Sequence, residues 1–301
     1  MKMNLSKILV PTDFSACSEA ALDQGLALAR QHGAELHLLH VMMAFEEDPY
    51  SLVYQLPDRY SVYEKQEKAC EVKMGDMLAV RELDGVNVQQ HRPRSVSVAP
   101  AVVELAEAEG IDLIVQGAHG RRGWRRFLLG SVAEEVVRRS TCPVLTVQEK
   151  HSRVDVGERR VLVPVDFSEP SRQALRAAKN LAGDGADLEV VHVIEHPVYP
   201  QYYDVEAGQI LFPQMTSRVK ETVEEFVKET LGDEDCTQAV VEGRPAQQIV
   251  ERAEADDVDL IVIATQGHSG IEHLLLGSVT EKVVRLASCP VLTLRYSPPE
   301  D

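Results

Sequence analysis

The sequence predicts two tandem α/β domains, each built on a doubly wound sheet of five parallel strands. The main observation is an internal duplication, because residues 7–15 (KILVPTDFS) return as residues 160–168 (RVLVPVDFS). Residues 112–120 (DLIVQGAHG) return in the same order as residues 259–267 (DLIVIATQG). The offset between the copies changes by only a few residues from one match to the next. The repeating unit is therefore a whole domain rather than a short solenoid repeat.

Strand and helix patterns alternate along the first copy. Residues 7–11 form a short apolar run that ends in proline, which is typical of a buried strand. Ser15 is a candidate N-cap for the helix that follows, and Gly33 ends that helix. The same patterns predict a strand at 35–41, a helix at 60–83, a strand at 86–91, a helix at 100–109, a strand at 112–117, a helix at 131–139 and a strand at 144–147.

The second copy repeats this alternation. Its strands are predicted near residues 160–164, 187–193, 237–241, 259–264 and 291–294. Strands that alternate with helices favour a parallel, Rossmann-like sheet, and the order 3-2-1-4-5 would bring the first and fourth strands together. The predicted domain limits are 1–148 for domain one, 149–158 for a polar linker and 159–297 for domain two.

Composition narrows the class of protein. The 301 residues are 44% hydrophobic and 26% charged, which is enough for two ordinary cores. A formal net charge of −17 argues against nucleic acid and against anionic membrane surfaces as partners, since both require a cationic face. The first residues lack the apolar core of a signal peptide, and no apolar run reaches the ~18 residues of a membrane span. We expect a cytoplasmic protein.

Cysteine and histidine spacing gives no sign of a disulfide framework or a metal centre. The five cysteines include no C-x-x-C pair and have no Cys/His ligand spacing. Cys142 and Cys289 occupy equivalent positions, each before Pro-Val-Leu. We interpret them as small buried residues at the start of a strand rather than as reactive thiols.

The residues that point to chemistry follow the predicted first and fourth strands. Asp13 comes after strand one, and Gly117 and Gly120 come after strand four. After nine intervening residues, Gly130 and Ser131 open a helix. Ligands of open parallel sheets bind beyond the carboxyl ends of the strands, where glycines admit a phosphate to the backbone and a helix N-terminus adds N–H donors. The pattern favours a phosphate site in domain one.

A purely structural interpretation of the same loop stays open. Ser131 with Glu134, and Ser278 with Glu281, each have the spacing of a capping box. The glycine that precedes each serine would then serve only the turn.

Both halves resemble domains of the universal stress protein (UspA) superfamily over nearly the whole chain. The resemblance rests on the Val-Pro-x-Asp-Phe-Ser strand end, on the Gly-x2-Gly-x9-Gly-Ser loop and on the closing Cys-Pro-Val-Leu strand. It implies that ATP, ADP or AMP, with Mg²⁺, lies across the carboxyl edge of the sheet. The implied site residues of domain one are Pro11, Asp13, Val41, Gly117, Gly120, Arg122, Gly130, Ser131 and Val132. Those of domain two are Asp166, Val193, Gly267, Gly277, Ser278 and Val279.

The second copy departs from this pattern at one loop position, where Ala264 replaces Gly117. If that position needs a left-handed backbone, alanine costs ~1–2 kcal/mol, or about tenfold in affinity. If the backbone is ordinary, the change costs little.

The nine-residue spans differ in charge. Domain one surrounds Trp124 with four arginines, at positions 121, 122, 125 and 126, whereas domain two has His268, Ser269, Glu272 and His273. Guanidinium groups suit phosphate oxygens and could neutralise a triphosphate. They could equally be solvated or paired with acidic groups of the other half. We rank domain one as the better nucleotide site.

Other polar residues near the loop have simpler explanations. Asp13 and Asp166 could cap a turn, although the resemblance implies ligand contacts. His119, inside the glycine loop, is expected to be an exposed loop histidine. His40 and His192 are equivalent and are expected to pack and to form hydrogen bonds rather than bind ligand.

In each copy, one long connection follows the second strand. Together the two connections contain seven of the eight tyrosines, and they carry several prolines, Pro213 among them. We expect stiffened loops that cover a ligand, dock on the other half or pack on their own domain.

The leading functional hypothesis is a cytosolic stress-response or regulatory protein that binds an adenine nucleotide. Binding would alter its contacts with a regulatory protein partner, which the sequence does not identify. The alternative is a dimerisation or interaction module with vestigial sites. The sequence lacks a Walker lysine, a Ser-Gly-Gly loop after strand one and a His-x-Gly-His pair. We therefore predict no enzyme and name no catalytic residue, and slow ATP hydrolysis stays open.

The closing strands predict how the halves assemble. Residues 144–147 (VLTV) and 291–294 (VLTL) lie at the end of each strand order and carry no charge, so they would be exposed edges unless something covers them. The resemblance implies dimerisation through this strand. We predict an intrachain pseudo-two-fold pair and allow further dimerisation of whole chains.

Overall fold

The computed structural model describes residues 5–44, 59–120, 129–149, 160–182, 186–195, 205–232, 236–267 and 276–296. The chain divides into two compact units, one made of Asn4–Arg153 and the other containing Val154–Asp301. Residues 150–158 of the predicted linker lie outside the described residues.

The first unit alternates strands and helices as predicted. Its sheet has the order β4-β2-β1-β6-β7, in which all four neighbouring pairs are parallel, and this is the order 3-2-1-4-5 among the five main strands. The elements are β1 (Lys7–Pro11), α1 (Ala16–His32), β2 (Glu35–Leu39), β3 (Met42–Met43), α2 (Arg59–Ala79), β4 (Val88–His91), β5 (Arg94–Ser95), α3 (Val98–Glu109), β6 (Leu113–Gly117), α4 (Ser131–Arg139) and β7 (Val144–Val147).

The second unit repeats this topology with the order β10-β9-β8-β11-β12, also parallel. The fold class predicted from the sequence is therefore confirmed in each unit. The elements are β8 (Arg160–Pro164), α5 (Glu169–Ala182), β9 (Asp187–Ile194), α6 (Val205–Leu231), β10 (Thr237–Glu242), α7 (Pro245–Ala255), β11 (Leu260–Ala264), α8 (Ser278–Leu286) and β12 (Val291–Leu294).

Helix α1 determines how the chain leaves the first strand. The Ser15 side chain accepts a hydrogen bond from the Ser18 N–H, and Gly33 ends the helix in a left-handed conformation. Gly25 faces β1, where a Cβ atom would lie 2.7 Å from Val10 Cγ2. This glycine lets α1 pack closely on the sheet, beside the turn that joins it to β1.

Four elements show the clearest differences from the sequence expectations. Strands β3 and β5 were not predicted, and they form a separate parallel pair. Helix α3 begins at Val98, two residues before the expected start. Pro213, expected in a loop, lies inside α6, so much of the second long connection is helical.

Within the described ranges, no helix is long and apolar enough to cross a bilayer.

Candidate functional site

The turn after β1 holds the first site residue in a constrained position. Asp13 Oδ1 accepts a hydrogen bond from the Ser15 N–H at 3.0 Å. Between them, Phe14 has a left-handed backbone with φ of 64°. A bulky residue rarely adopts this conformation, and such strain persists only where the surroundings enforce it.

The second copy contains the same turn. Asp166 Oδ1 accepts from the Ser168 N–H at 3.1 Å, and Phe167 has φ of 65°. The strain is therefore a repeated feature of the domain.

A histidine from the neighbouring strand supports each turn. His40 Nδ1 lies 2.8 Å from the Thr12 carbonyl oxygen, and its ring centroid lies 4.5 Å from that of Phe14. His192 Nδ1 likewise lies 2.8 Å from the Val165 carbonyl oxygen. The expectation that these histidines pack and form hydrogen bonds is confirmed.

The glycine loop after β6 meets the aspartate turn, as expected for neighbouring strands. A Cβ atom on Gly120 would lie 2.7 Å from Asp13 Oδ2. A Cβ atom on Gly267 would lie even closer to Asp166 Oδ2. At the third residue after each fourth strand, a side chain would therefore displace the aspartate carboxylate, which occupies the space that a Cβ atom would need.

Gly117 is required for a different reason. Its φ is not left-handed, but a Cβ atom there would lie 2.8 Å from the carbonyl carbon of Cys17. Ala264 is not left-handed either. Of the two alternatives left open by the sequence, the ordinary backbone therefore applies, and alanine costs little backbone strain in the second copy. In the second copy, the residue equivalent to Cys17 is Pro170.

The capping-box interpretation is also wrong. Helix α4 begins at Ser131, and its N-cap is Gly130, which makes no side-chain cap hydrogen bond. Helix α8 is the same, with Gly277 before Ser278. Each serine is the first helical residue, one position too late to act as the cap. The helix start thus leaves its first turn without a capping side chain.

Backbone hydrogen bonds fix each helix start beside the strand end. The Gly130 N–H donates to the Ala118 carbonyl at 2.8 Å, and the Gly277 N–H donates to the Thr265 carbonyl at 2.8 Å. Gly120, the last described residue before the rest of the loop, also lies close to the N-terminus of α4. The geometry brings together an aspartate, loop glycines and an uncapped helix N-terminus at one edge.

The remaining predicted site residues surround this edge or fall outside the description. Pro11 ends β1, and Val41 is buried just after β2. Ser131 and Val132 are exposed in the first turn of α4, as is Ser278 in α8. Val193 lies in β9, and Val279 follows Ser278 in α8. Residues 121–128, which include Arg122, and residues 268–275 lie outside the described residues.

His119 departs from the sequence expectation. It is half-buried rather than exposed, and its buried Nδ1 atom has no hydrogen-bond partner among the described residues. Buried polar atoms of this kind are usually paired, so a bound molecule could supply the missing hydrogen bond.

The cysteines behave as structural residues. Burial raises the pKa of the Cys17 thiol, whose Sγ donates to the Val147 carbonyl at 3.3 Å. Burial also raises the pKa of Cys142, and it raises that of Cys289 to about 12. Among the described residues, no group of three or more His, Cys, Asp or Glu side chains could hold a metal ion.

Sequence reasoning did not predict the left-handed backbone of Phe14 and Phe167. The Asp-Phe-Ser repeat was visible, but a left-handed aromatic residue has no sequence signature. The one available signal was the repetition of the same three residues before both helices.

Comparison with known proteins bears on this geometry. The model of the universal stress protein family matches residues 4–148 and again residues 158–295. The chain belongs to the universal stress protein family. Both copies of the site described above lie inside the matched regions.

Relatives of this universal stress protein share its two-domain length or match one half. Universal stress protein Rv2005c of Mycobacterium tuberculosis is 29% identical over 304 residues, covering 96% of this chain and 97% of the relative. Universal stress protein MJ0577 of Methanocaldococcus jannaschii is 33% identical over 162 residues, covering 50% of this chain and all of the relative. The crystal structure of a universal stress protein from Archaeoglobus fulgidus has the same fold, with a TM-score of 0.65, 24% identity and 99% coverage of both chains.

Proposed function

We propose that this universal stress protein is a regulatory stress-response protein that binds ATP or a related adenine nucleotide, with Mg²⁺, at the carboxyl edge of its sheets. The observation that carries the proposal is the meeting of a fixed aspartate with a glycine loop and an uncapped helix N-terminus. That arrangement recurs in both copies. Nucleotide occupancy would alter contacts with a regulatory partner.

The chemistry of the edge suits the two ends of a nucleotide. The carboxylates of Asp13 and Asp166 can accept hydrogen bonds from base or ribose donors. The N–H groups at the starts of α4 and α8, with the helix dipole, suit phosphate oxygens. In a protein with a net charge of −17, such a local site is what makes anion binding feasible. Binding needs no catalytic residue, and the proposal names none.

We rank domain one as the tighter site because of the arginines near Trp124 in its loop. In domain two the corresponding span contains Glu272 and no arginine. A second candidate function is an interaction module whose nucleotide site is vestigial. The charge difference favours that function for domain two alone. Backbone strain at Ala264 contributes nothing to the ranking.

Calorimetric titration of Mg-ATP tests the proposal. Gly120→Val and Gly267→Val each force a branched side chain onto the aspartate carboxylate, so each should abolish binding in its own domain. We expect Gly120→Val to remove the tighter site and Gly267→Val to leave it. Gly75→Val in α2, where a Cβ atom meets nothing within 4 Å, is the control. Loss of the tighter site in Gly267→Val would reverse the ranking, and no binding by the wild type would refute the proposal.

A further inference from the structure

We propose that His40 and His192 are positioning residues of the two sites, each holding the turn that aims the site aspartate at the loop glycine. The inference rests on the proposed nucleotide function, because it assigns these histidines a role in ligand affinity. Neither histidine is among the residues expected to touch ligand.

The hydrogen bond from each histidine reaches the carbonyl just before the site aspartate. The Nδ1 to oxygen distance is 2.8 Å in both copies, to Thr12 in the first and to Val165 in the second. A carbonyl oxygen can only accept, so Nδ1 carries the proton and donates it. Burial lowers the pKa of His192, and the lowered pKa favours the neutral ring. The Val165 hydrogen bond and Asp166 act in the opposite direction.

The ring of each histidine also supports the strained residue. The centroid of His40 lies 4.5 Å from that of Phe14, and the centroid of His192 lies 4.4 Å from that of Phe167. One side chain from strand two thus fixes the peptide before the aspartate and packs against the residue after it.

Comparison of the two copies shows that the left-handed turn keeps its histidine contact where it lacks the threonine hydroxyl. In the first copy the Phe14 N–H donates to Thr12 Oγ1 at 3.0 Å. The second copy has Val165 at that position, which has no hydroxyl group, yet Phe167 is left-handed to within one degree of Phe14. The threonine hydroxyl is therefore dispensable for the turn. The histidine contact is a tertiary support that the two copies share, beside the backbone hydrogen bonds from Thr12 N–H to the Leu39 carbonyl and from Val165 N–H to the Val191 carbonyl.

The turn matters to the site because the carboxylate it presents is tightly placed. Asp13 Oδ2 occupies the space next to Gly120, and Asp166 Oδ2 does so next to Gly267. Rotation of the peptide before the aspartate would move that oxygen against the loop. Without the histidine donor, we expect the strained residue to relax and the carboxylate to leave its position.

Replacements of His40 in the full-length chain, in a Gly267→Val background, separate the donor from the ring. His40→Phe keeps an aromatic ring against Phe14 and removes the donor. His40→Asn removes the ring but places an amide N–H near the position of Nδ1. Each variant is crystallised to read φ at residue 14 and titrated with Mg-ATP, and His32→Phe at the exposed end of α1 is the control.

We expect His40→Phe to release Phe14 from the left-handed region and to weaken Mg-ATP by about tenfold, as for loss of one hydrogen bond. His40→Asn should restore the turn and most of the affinity. The proposal is overturned if His40→Phe keeps both φ and affinity, or if His40→Asn loses as much affinity as His40→Phe. If His40→Phe does not fold, the same comparison at His192 in a Gly120→Val background decides.

The two proposals fail in different ways. Absence of Mg-ATP binding by the wild type would refute the nucleotide function. The φ angles in the variant crystals would still decide whether the histidine holds the turn.

Discussion

Two glycines of the same loop are required for different reasons, although they look alike in sequence. Gly120 makes room for a carboxylate, and Gly117 makes room for the backbone at the start of α1. Neither uses left-handed freedom, which is the usual explanation for a glycine in a binding loop. A substitution at Gly120 therefore disturbs Asp13 first, and a substitution at Gly117 disturbs the packing of α1 on β6.

The loop arginines give a prediction at the level of single charges. Replacement of Arg121, Arg122, Arg125 and Arg126 with glutamine should weaken Mg-ATP more than adenosine, because only ATP carries the charge that guanidinium groups neutralise. Calorimetry with both ligands measures the difference, and four glutamine replacements of exposed arginines elsewhere serve as the control for net charge. An equal loss for the two ligands would assign the arginines to folding or to an interface.

A pair of histidines away from the site joins β2 to β4. His37 is fully buried, and its Nδ1 lies 3.0 Å from His91 Nε2. His37 Nε2 lies 3.4 Å from Glu35 Oε2 but outside hydrogen-bond geometry. Burial lowers the pKa of His91, and so does His37, while Glu109 and Glu35 oppose the change. In the second unit Glu189 of β9 stands at the position of His37, so the histidine pair is not repeated there.

This pair predicts a loss of stability in mild acid. The unfolded chain protonates His91 near its ordinary pKa of 6.5, whereas the folded chain does so only at lower pH. The unfolded state therefore binds more protons below about pH 6.5, and the free energy of unfolding falls as the pH falls through that value. His91→Gln should flatten this fall in urea-unfolding series measured at several pH values. The same slope in His91→Gln as in the wild type would contradict the assignment.

At the level of elements, the sequence predicts strands better than it predicts helix starts. Strands β1, β7, β8 and β12 match their predicted bounds because each is a short apolar run with a clear stop. The two-residue strands β3 and β5 are too short to show the alternation of apolar and polar residues that predicts a strand. Helices α4 and α8 begin where expected, but the capping-box spacing assigned the cap one residue late, because serine and glycine are both acceptable N-caps.

Helix α6 shows why a strong local signal can mislead. Pro213 removes a backbone donor and usually ends a helix, so the sequence favoured a loop. The helix nevertheless runs from Val205 to Leu231. At the site, the sequence located the aspartates and glycines through their spacing, whereas the left-handed turn and the close approach of Cys17 depend on tertiary contacts that no local pattern encodes.

At the scale of the whole molecule, the pairing of the two halves through β7 and β12 stays a sequence-based prediction. Leu145→Pro and Leu292→Pro should each weaken it, because proline cannot donate to a strand ladder. We expect faster proteolysis in the linker, measured alongside mass by light scattering, with Thr237→Pro in β10 as the control. Unchanged linker protection and unchanged mass in a folded double variant would remove this interface.

The different packing around Gly117 and Ala264 affects how the duplicated halves can evolve. Tandem copies of one coding segment can recombine and become alike again. A crossover between the first and fourth strands would bring the alanine of the second copy against the helix start of the first. Its methyl group would lie 2.8 Å from the carbonyl carbon of Cys17, where the backbone would have to shift. We expect such chimeras to be less stable than the parent chain, so this contact would oppose exchange of the fourth strand between the two halves.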